Sequence, residues 1–211
     1  MIDCIRDNAA ALMRRIPRGR GHGRVSIAIN RLFLQGGAKP ILIAPLSLGH
    51  RLIFDSRVDS HVWAAYSGRY DDQHIKTLAG LLPKGGVAFD VGANIGFYTV
   101  PLAQAAKLKG ARVVAFEPFP GNVARLRANL ELNGLASIVD IQAVGLSDTY
   151  GNAMLELRED FLQGGDTGNA IVVHGNPTDN RWRRVTVALA SLDETLAKIA
   201  SRPYRRHQSR H

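Results

Sequence analysis

A single cysteine, Cys4, stands in the 211 residues. That excludes an internal disulfide framework and any thiolate-built zinc cage, and it fits a reducing compartment. Long apolar runs are also missing. The longest, Ile41 to Leu48, is broken by Pro45 and falls far short of the roughly 18 residues a membrane span needs. The N-terminus places Asp3, Arg6 and Asp7 ahead of the short run Ala9 to Met13, so no secretory signal is read there. The expectation is a soluble, cytoplasmic chain with no membrane span. Acidic residues are scarce at both ends. Residues 1–40 hold eight Lys/Arg against Asp3 and Asp7, and residues 201–211 hold four arginines and no acid. Residues 41–200 are nearly balanced, with 15 basic and 16 acidic residues. A nucleic-acid-binding domain carries its positive stripe on the folded body, so nucleic acid is not the expected partner. The Gly-Arg stretch Arg18 to Arg24 reads as a solvated linker, the alternative being a flexible arm on phosphate backbones. Disorder along the whole length is excluded by the 45% hydrophobic, 21% charged composition.

Ile2, Ile5, Ala9, Leu12, Met13 and Ile16 recur at helical spacing, which predicts a basic amphipathic helix over 2–16 that packs on the main domain, the alternative being binding at a membrane surface. A second helix is expected from Val25 to Leu34, then short strands at Ile41–Leu48 and Leu52–Phe54. The helix predicted over Asp71–Leu82 puts Ile75, Leu78, Leu81 and Leu82 on one face. From residue 87 the pattern changes. Val87-Ala88-Phe89 reads as a buried strand, a helix runs to about Leu108, and Arg112–Phe116 is a second buried strand. Gly121–Leu132 is a helix with Val123, Leu126 and Leu130 inward, and Ile138–Val144 is a third strand. This order implies parallel strands with right-handed crossovers. Short strands are expected at Ala153–Leu157, Ile171–Val173 and Val185–Leu189. Ser191-Leu192-Asp193-Glu194 is a capping box opening a helix through Ala200.

A parallel sheet binds ligands at the carboxyl ends of its strands, where Asp90 to Gly96 and Glu117 both fall. Two nucleotide-type ligands compete for this layout. A dinucleotide fingerprint needs G-x-G-x-x-G, but Asn94 stands two after Gly92, and the third glycine arrives one residue early, at Gly96. An acid two before the first glycine is poorly placed beside a pyrophosphate. Asp90 suits a cationic ligand better, such as the aminopropyl end of S-adenosylmethionine. Asp90 as a plain helix cap and Glu117 as a solvated strand end are the plainer alternatives.

The block Phe89-Asp90-Val91-Gly92-Ala93-Asn94-Ile95-Gly96-Phe97-Tyr98-Thr99, then Ala115-Phe116-Glu117-Pro118, then Asn122 and Asn129-Leu130-Glu131-Leu132-Asn133, resembles the FkbM family of S-adenosylmethionine-dependent methyltransferases. Gly68-Arg69-Tyr70-Asp71 resembles that family's lead-in, Ala143 to Asp148 its third strand and exit, and Ser191-Leu192-Asp193 its Thr-Leu-Asp segment. The resemblance covers roughly residues 50–197. It implies a class I, Rossmann-like three-layer α/β fold and methyl transfer, often to oxygen of a small molecule, sugar or lipid-type acceptor. It places the methionine part of the cofactor on Asp90, Gly92, Asn94 and Gly96, with Ala93 and Phe97 also in the cofactor site. The ribose falls to Glu117 beside Pro118, and the adenine to the neighbourhood of Gln142 and Ala143. No metal is implied. A hydroxyl acceptor wants a base, for which His74, Asp148 and His174 are candidates, and Tyr70 either lines the pocket or packs under the loop.

The resemblance divides the chain into a basic extension over 1–49, a methyltransferase domain over 50–200 and a basic tail over 201–211. The family continues after the Leu-Asp helix with a strand like Ile-Asp-x-Ile-Lys-Ile-Asp-x-Glu-Gly, which the tail Ser201 to His211 does not contain. Read one base later, codons allowed for Tyr204 to His211, followed by a TGA stop, can spell Ile-Asp-Val-Ile-Lys-Val-Asp-Ile-Glu. The expectation is a frameshifted C-terminus, a sheet lacking its C-terminal half and a chain of poor activity.

Overall fold

The computed structural model describes residues 1–17, 19–148, 150–158, 171–173 and 182–200. The tail from Ser201 onward, with its expected frameshift, lies outside them. Helices α1 (Ile2–Met13) and α2 (His22–Gln35) lead into an antiparallel hairpin of β1 (Ile41–Pro45) and β2 (Arg51–Asp55). Helices α3 (Asp59–Ser67) and α4 (Asp72–Leu81) follow. Then come β3 (Val87–Val91), α5 (Thr99–Leu108), β4 (Arg112–Phe116), α6 (Pro120–Leu132) and β5 (Val139–Gln142). The strands β3, β4 and β5 form a parallel sheet in that order, with Asp90 level with Ala115 and Ala115 level with Ile141. Because neighbouring strands are parallel, α5 and α6 are crossovers, and the arrangement is Rossmann-like.

Burial explains the sheet. Central strand β4 places Val113, Val114 and Ala115 wholly out of solvent, as a β-branched run in a parallel sheet should. The expected inward residues of α6, Val123, Leu126 and Leu130, are all buried. Strand β3 differs from expectation. Phe89 and Val91 are exposed on one face, because β3 pairs only with β4 among the described residues and nothing described covers that face. Phe89 instead stacks along Phe116, ring centres 6.5 Å apart.

Three other expectations need correction. The face of α1 that packs inward is Arg6, Ala10 and Met13, not the Ile/Leu stripe. The Arg6 guanidinium is buried because it donates to the carbonyls of Lys39 and Ile41 and to Asp7, which offsets its desolvation. On α4, Ile75 is buried, but Leu78 and Leu81 face solvent. The third expected strand stops at Gln142, and Gly145–Leu146 (β6) leaves it to pair with a second sheet.

That second sheet has the order β6-β9-β7-β8, with β7 (Gly151–Arg158), β8 (Ile171–Val173) and β9 (Trp182–Ala190). The cross-strand partners Glu156 and Arg184 form an ion pair at 2.7 Å. Ala153, Leu155 and Val187 make a small core with Phe119. Helix α7 (Leu192–Ala200) opens with the Glu194 N–H donating to Ser191 Oγ. The sequence reading assigned no element to α3. Six of its nine residues are buried, so no amphipathic period marks it. The main core runs from Ala10 and Met13 through the hairpin to Leu135, and the expected boundary at 49–50 falls in the hairpin turn.

Candidate cofactor-binding site

Strand β3 ends at Val91, and the chain turns sharply to reach α5. Gly92 takes φ +80°, Asn94 φ +50° and Gly96 φ +100°. At Gly96 glycine is required twice over, since a Cβ there would also lie 2.8 Å from Leu126 Cδ1. At Gly92 a Cβ would meet nothing within 4 Å and would project into the open space beside the loop. Two backbone N–H groups, Gly92 and Ala93, donate to the Phe116 carbonyl at 2.9 Å each, which ties the loop to the end of β4.

This loop is one wall of a cavity of about 330 Å³ lined by Tyr70, Asp90, Val91, Gly92, Ala93, Asn94, Phe97 and Tyr98. The opposite wall is aromatic. Tyr70 stacks on Phe97 with ring centres 3.9 Å apart, and Tyr98 meets Tyr70 edge-on. Asp90 is half-buried and accepts a hydrogen bond from Thr99 Oγ1 at 2.5 Å. Burial pushes its carboxyl pKa up, against the Thr99 hydrogen bonds. Asp90 also accepts the backbone N–H of Thr99, the first residue of α5, so the helix-cap alternative is present in the structure. Capping and lining the cavity coexist in one carboxyl.

Glu117 is buried and does not line the cavity. Its Oε2 accepts the Asn94 N–H at 2.8 Å, and its Oε1 accepts the Phe119 N–H at 2.9 Å and Asn122 Nδ2 at 3.3 Å. The solvated-strand-end alternative for Glu117 is thereby excluded. Pro118 and Gln142 are half-buried and Ala143 is exposed. The Glu117 N–H donates to the Gln142 carbonyl at 3.1 Å, so these residues gather at the carboxyl ends of β4 and β5. Of the expected cofactor residues, Asp90, Gly92, Ala93, Asn94 and Phe97 border the cavity. Gly96, Glu117, Pro118, Gln142 and Ala143 stand outside its lining.

The candidate bases are scattered. His74 Nδ1 lies 2.5 Å from Asp71 Oδ1, with an exposed side chain. Asp148 is exposed and accepts from Ser147 Oγ at 3.2 Å, and His174 lies outside the described residues. Sequence reasoning missed Tyr98, whose phenol donates to Asp71 Oδ2. Burial, then that hydrogen bond, raise its pKa, so the phenol stays protonated and acts as a hydrogen-bond donor. It also missed the work of Asn129 and Asn133. Asn129 Nδ2 donates to the Ile95 carbonyl at 2.8 Å, while its Oδ1 accepts the Ile53 N–H at 2.7 Å. Asn133 bonds both the N–H and the carbonyl of Arg51. These two amides fasten α6 to the hairpin and to the glycine loop, and spacing on one helix face was the only signal for them.

A cationic ligand fits this cavity. An acid and three aromatic rings border it, and the position of a Cβ at Gly92 is open. A pyrophosphate would face Asp90 and is disfavoured there. Among the described residues, no group of three His, Cys, Asp or Glu side chains is placed to hold a metal ion, and no helix is long and apolar enough to cross a membrane.

A segment of 68 residues is 46% identical to part of the AMB antimetabolite synthetase AmbE of Pseudomonas aeruginosa. That match covers 32% of this chain and 3% of the synthetase. Among solved structures, an RNA methyltransferase from Salinibacter ruber in complex with S-adenosyl-L-homocysteine matches at 27% identity and TM-score 0.29, over 35% of this chain and 45% of that one. A SAM-dependent O-methyltransferase from Thermotoga maritima matches at 13% identity and TM-score 0.32, over 77% and 82%. Residues 90–202, more than half of the chain, match the methyltransferase FkbM domain. The chain belongs to the family of methyltransferase FkbM domains.

Proposed function

We propose that residues 50–200 form a methyltransferase domain that binds S-adenosylmethionine at the β3–α5 loop and methylates a hydroxyl oxygen of a small-molecule, sugar or lipid-type acceptor. The observation that carries this reading is the cavity itself, which brings Asp90, the open face of Gly92 and the Tyr70–Phe97 stack to one place. Asp90, Gly92, Ala93, Asn94 and Phe97, which border it, hold the methionine part of the cofactor, with Gly96 turning the loop behind them. Glu117, beside Pro118, takes the ribose, and Gln142 and Ala143 flank the adenine. The match to a stretch of an antimetabolite synthetase supports a small-molecule acceptor.

Bound there, the cofactor supplies an electrophilic methyl group on a sulfonium. The protein's share is alignment and exclusion of water. Asp90 offers a carboxylate to the ammonium end, and the buried Phe97 with Tyr70 shields the loop from solvent. Tyr98, kept protonated by burial and by its hydrogen bond to Asp71, adds an aromatic wall to the cavity. Calorimetry with Asp90→Asn tests the assignment. A lost charge-assisted contact is worth roughly 1–3 kcal/mol, so S-adenosylmethionine affinity should fall several-fold to about a hundredfold. Unchanged affinity in a variant with an unchanged melt refutes the site.

A further inference from the structure

We propose that the α1–α2 face docks on the surface of an anionic phospholipid bilayer. Residues Ile2, Ile5, Ala9 and Leu12 follow each other at spacings of three and four, so they form one stripe along α1, with the exposed Ile16 just beyond its end. Val25, Ile29, Leu32 and Gly36 form the matching stripe on α2. The two stripes border the same seam. A Cβ at Gly36 would lie 2.8 Å from Ile2 Cδ1, and at the other end His22 Nε2 lies 3.2 Å from the Met13 carbonyl. The helices are therefore antiparallel and meet along these flanks. Packing uses only part of the seam. Ile5, Leu12, Val25 and Leu32 remain 51%, 62%, 50% and 69% exposed.

The charge around the seam has one outward sign. Arg15, Arg20, Arg24, Arg31 and Lys39 are exposed, and Arg31 is the one of these with an ion pair shown, to the exposed Asp59. Both acids of residues 1–40 are committed locally. Asp3 accepts the Lys39 N–H at 2.8 Å, and Asp7 pairs with the buried Arg6 at 2.9 Å. At the turn between the helices, a cleft of about 420 Å³ is lined by Arg20, Gly21, Gly23 and Arg24. Trp63 of α3, 38% exposed, packs beside it, where a Cβ at Gly23 would lie 2.7 Å from its Cδ1.

Branched aliphatics, an indole and the exposed Arg15, Arg20 and Arg24 along the same helix pair match the layers of a bilayer surface. The aliphatics reach the acyl boundary, the indole sits at headgroup depth, and the arginines meet phosphates. A nucleic-acid backbone would satisfy the arginines and leave the aliphatic seam in water, so charge and apolar pattern together favour lipid.

Co-sedimentation of the full chain with vesicles tests this. Phosphatidylcholine vesicles containing phosphatidylglycerol should carry the protein down, and phosphatidylcholine alone should not. Leu12→Ser with Leu32→Ser should lower partitioning about tenfold or more. Arg15→Gln with Arg20→Gln and Arg24→Gln should lower it roughly a hundredfold. All five sites are at the surface or in the turn, and unchanged thermal melts confirm that the fold is intact. The proposal is overturned by absence of partitioning at low salt, or by equal partitioning of the Leu-to-Ser variant. It is also overturned if light scattering shows a dimer that the Leu-to-Ser variant dissolves, or if poly-uridine binds through the same arginines while vesicles do not.

Discussion

Glu117 Oε2 accepts the backbone N–H of Asn94 at 2.8 Å, across the gap between the end of β4 and the glycine loop. Among the described residues, Asn94 is one of two non-glycine residues with positive φ, and this bond pins it in that conformation. The carboxylate therefore shapes the loop as well as standing where the ribose is expected. Glu117→Ala should weaken S-adenosylmethionine binding by about 1–3 kcal/mol. It should also speed hydrogen exchange at the Asn94 amide with the cofactor absent. Faster exchange with unchanged affinity would leave Glu117 a purely structural clamp.

The two loop glycines should separate stability from binding. Gly96→Ala combines φ +100° with a 2.8 Å approach to Leu126 Cδ1, and should cost roughly 2–4 kcal/mol in urea denaturation. Gly92→Ala carries strain at φ +80° but no clash. It should cost about 1–2 kcal/mol of stability and reduce cofactor affinity by a larger factor than that strain accounts for. Equal effects of both variants on both quantities would contradict the placement of Gly92 at the cavity.

Asn129 is wholly buried, and both ends of its amide bond backbone groups of other segments. Asn129→Leu leaves the Ile53 N–H and the Ile95 carbonyl without these partners. The expected loss is on the order of 2–4 kcal/mol in chemical denaturation.

This residue also marks where the sequence was readable and where it was not. The parallel core was legible, because Val113, Val114 and Ala115 form an uninterrupted apolar run between two loop signals. The glycine loop was legible through its punctuation and its two acids. Helix α3 was not, since burial on nearly all sides erases the period that betrays a helix. The inward face of α1 was misread because a buried arginine, Arg6, took a core position that hydropathy gave to the isoleucines. Asn129 looked like one asparagine among several. Its partners lie 76 and 34 residues away, and no local pattern encodes them.

His50 predicts a pH dependence. The side chain is 1% exposed, and neither ring nitrogen meets a hydrogen-bond partner among the described residues. Burial lowers its pKa from 6.5 to about 4, against the pull of Asp72. The unfolded chain thus takes up this proton near pH 6.5 and the folded chain only near pH 4. Stability should be level above about pH 7 and fall by on the order of 3 kcal/mol as the pH drops through that window. Urea midpoints for the parent and His50→Leu check this. The variant should lose most of the slope between pH 6.5 and 4, and an identical slope would remove His50 as its cause.

The account stands on one ligand at the β3–α5 loop. Isothermal titration of the full chain with S-adenosylmethionine and with NAD is its most direct test. The account predicts one-site binding of S-adenosylmethionine that Asp90→Asn weakens several-fold or more, and no measurable heat with NAD. Tight NAD binding without S-adenosylmethionine binding would contradict it.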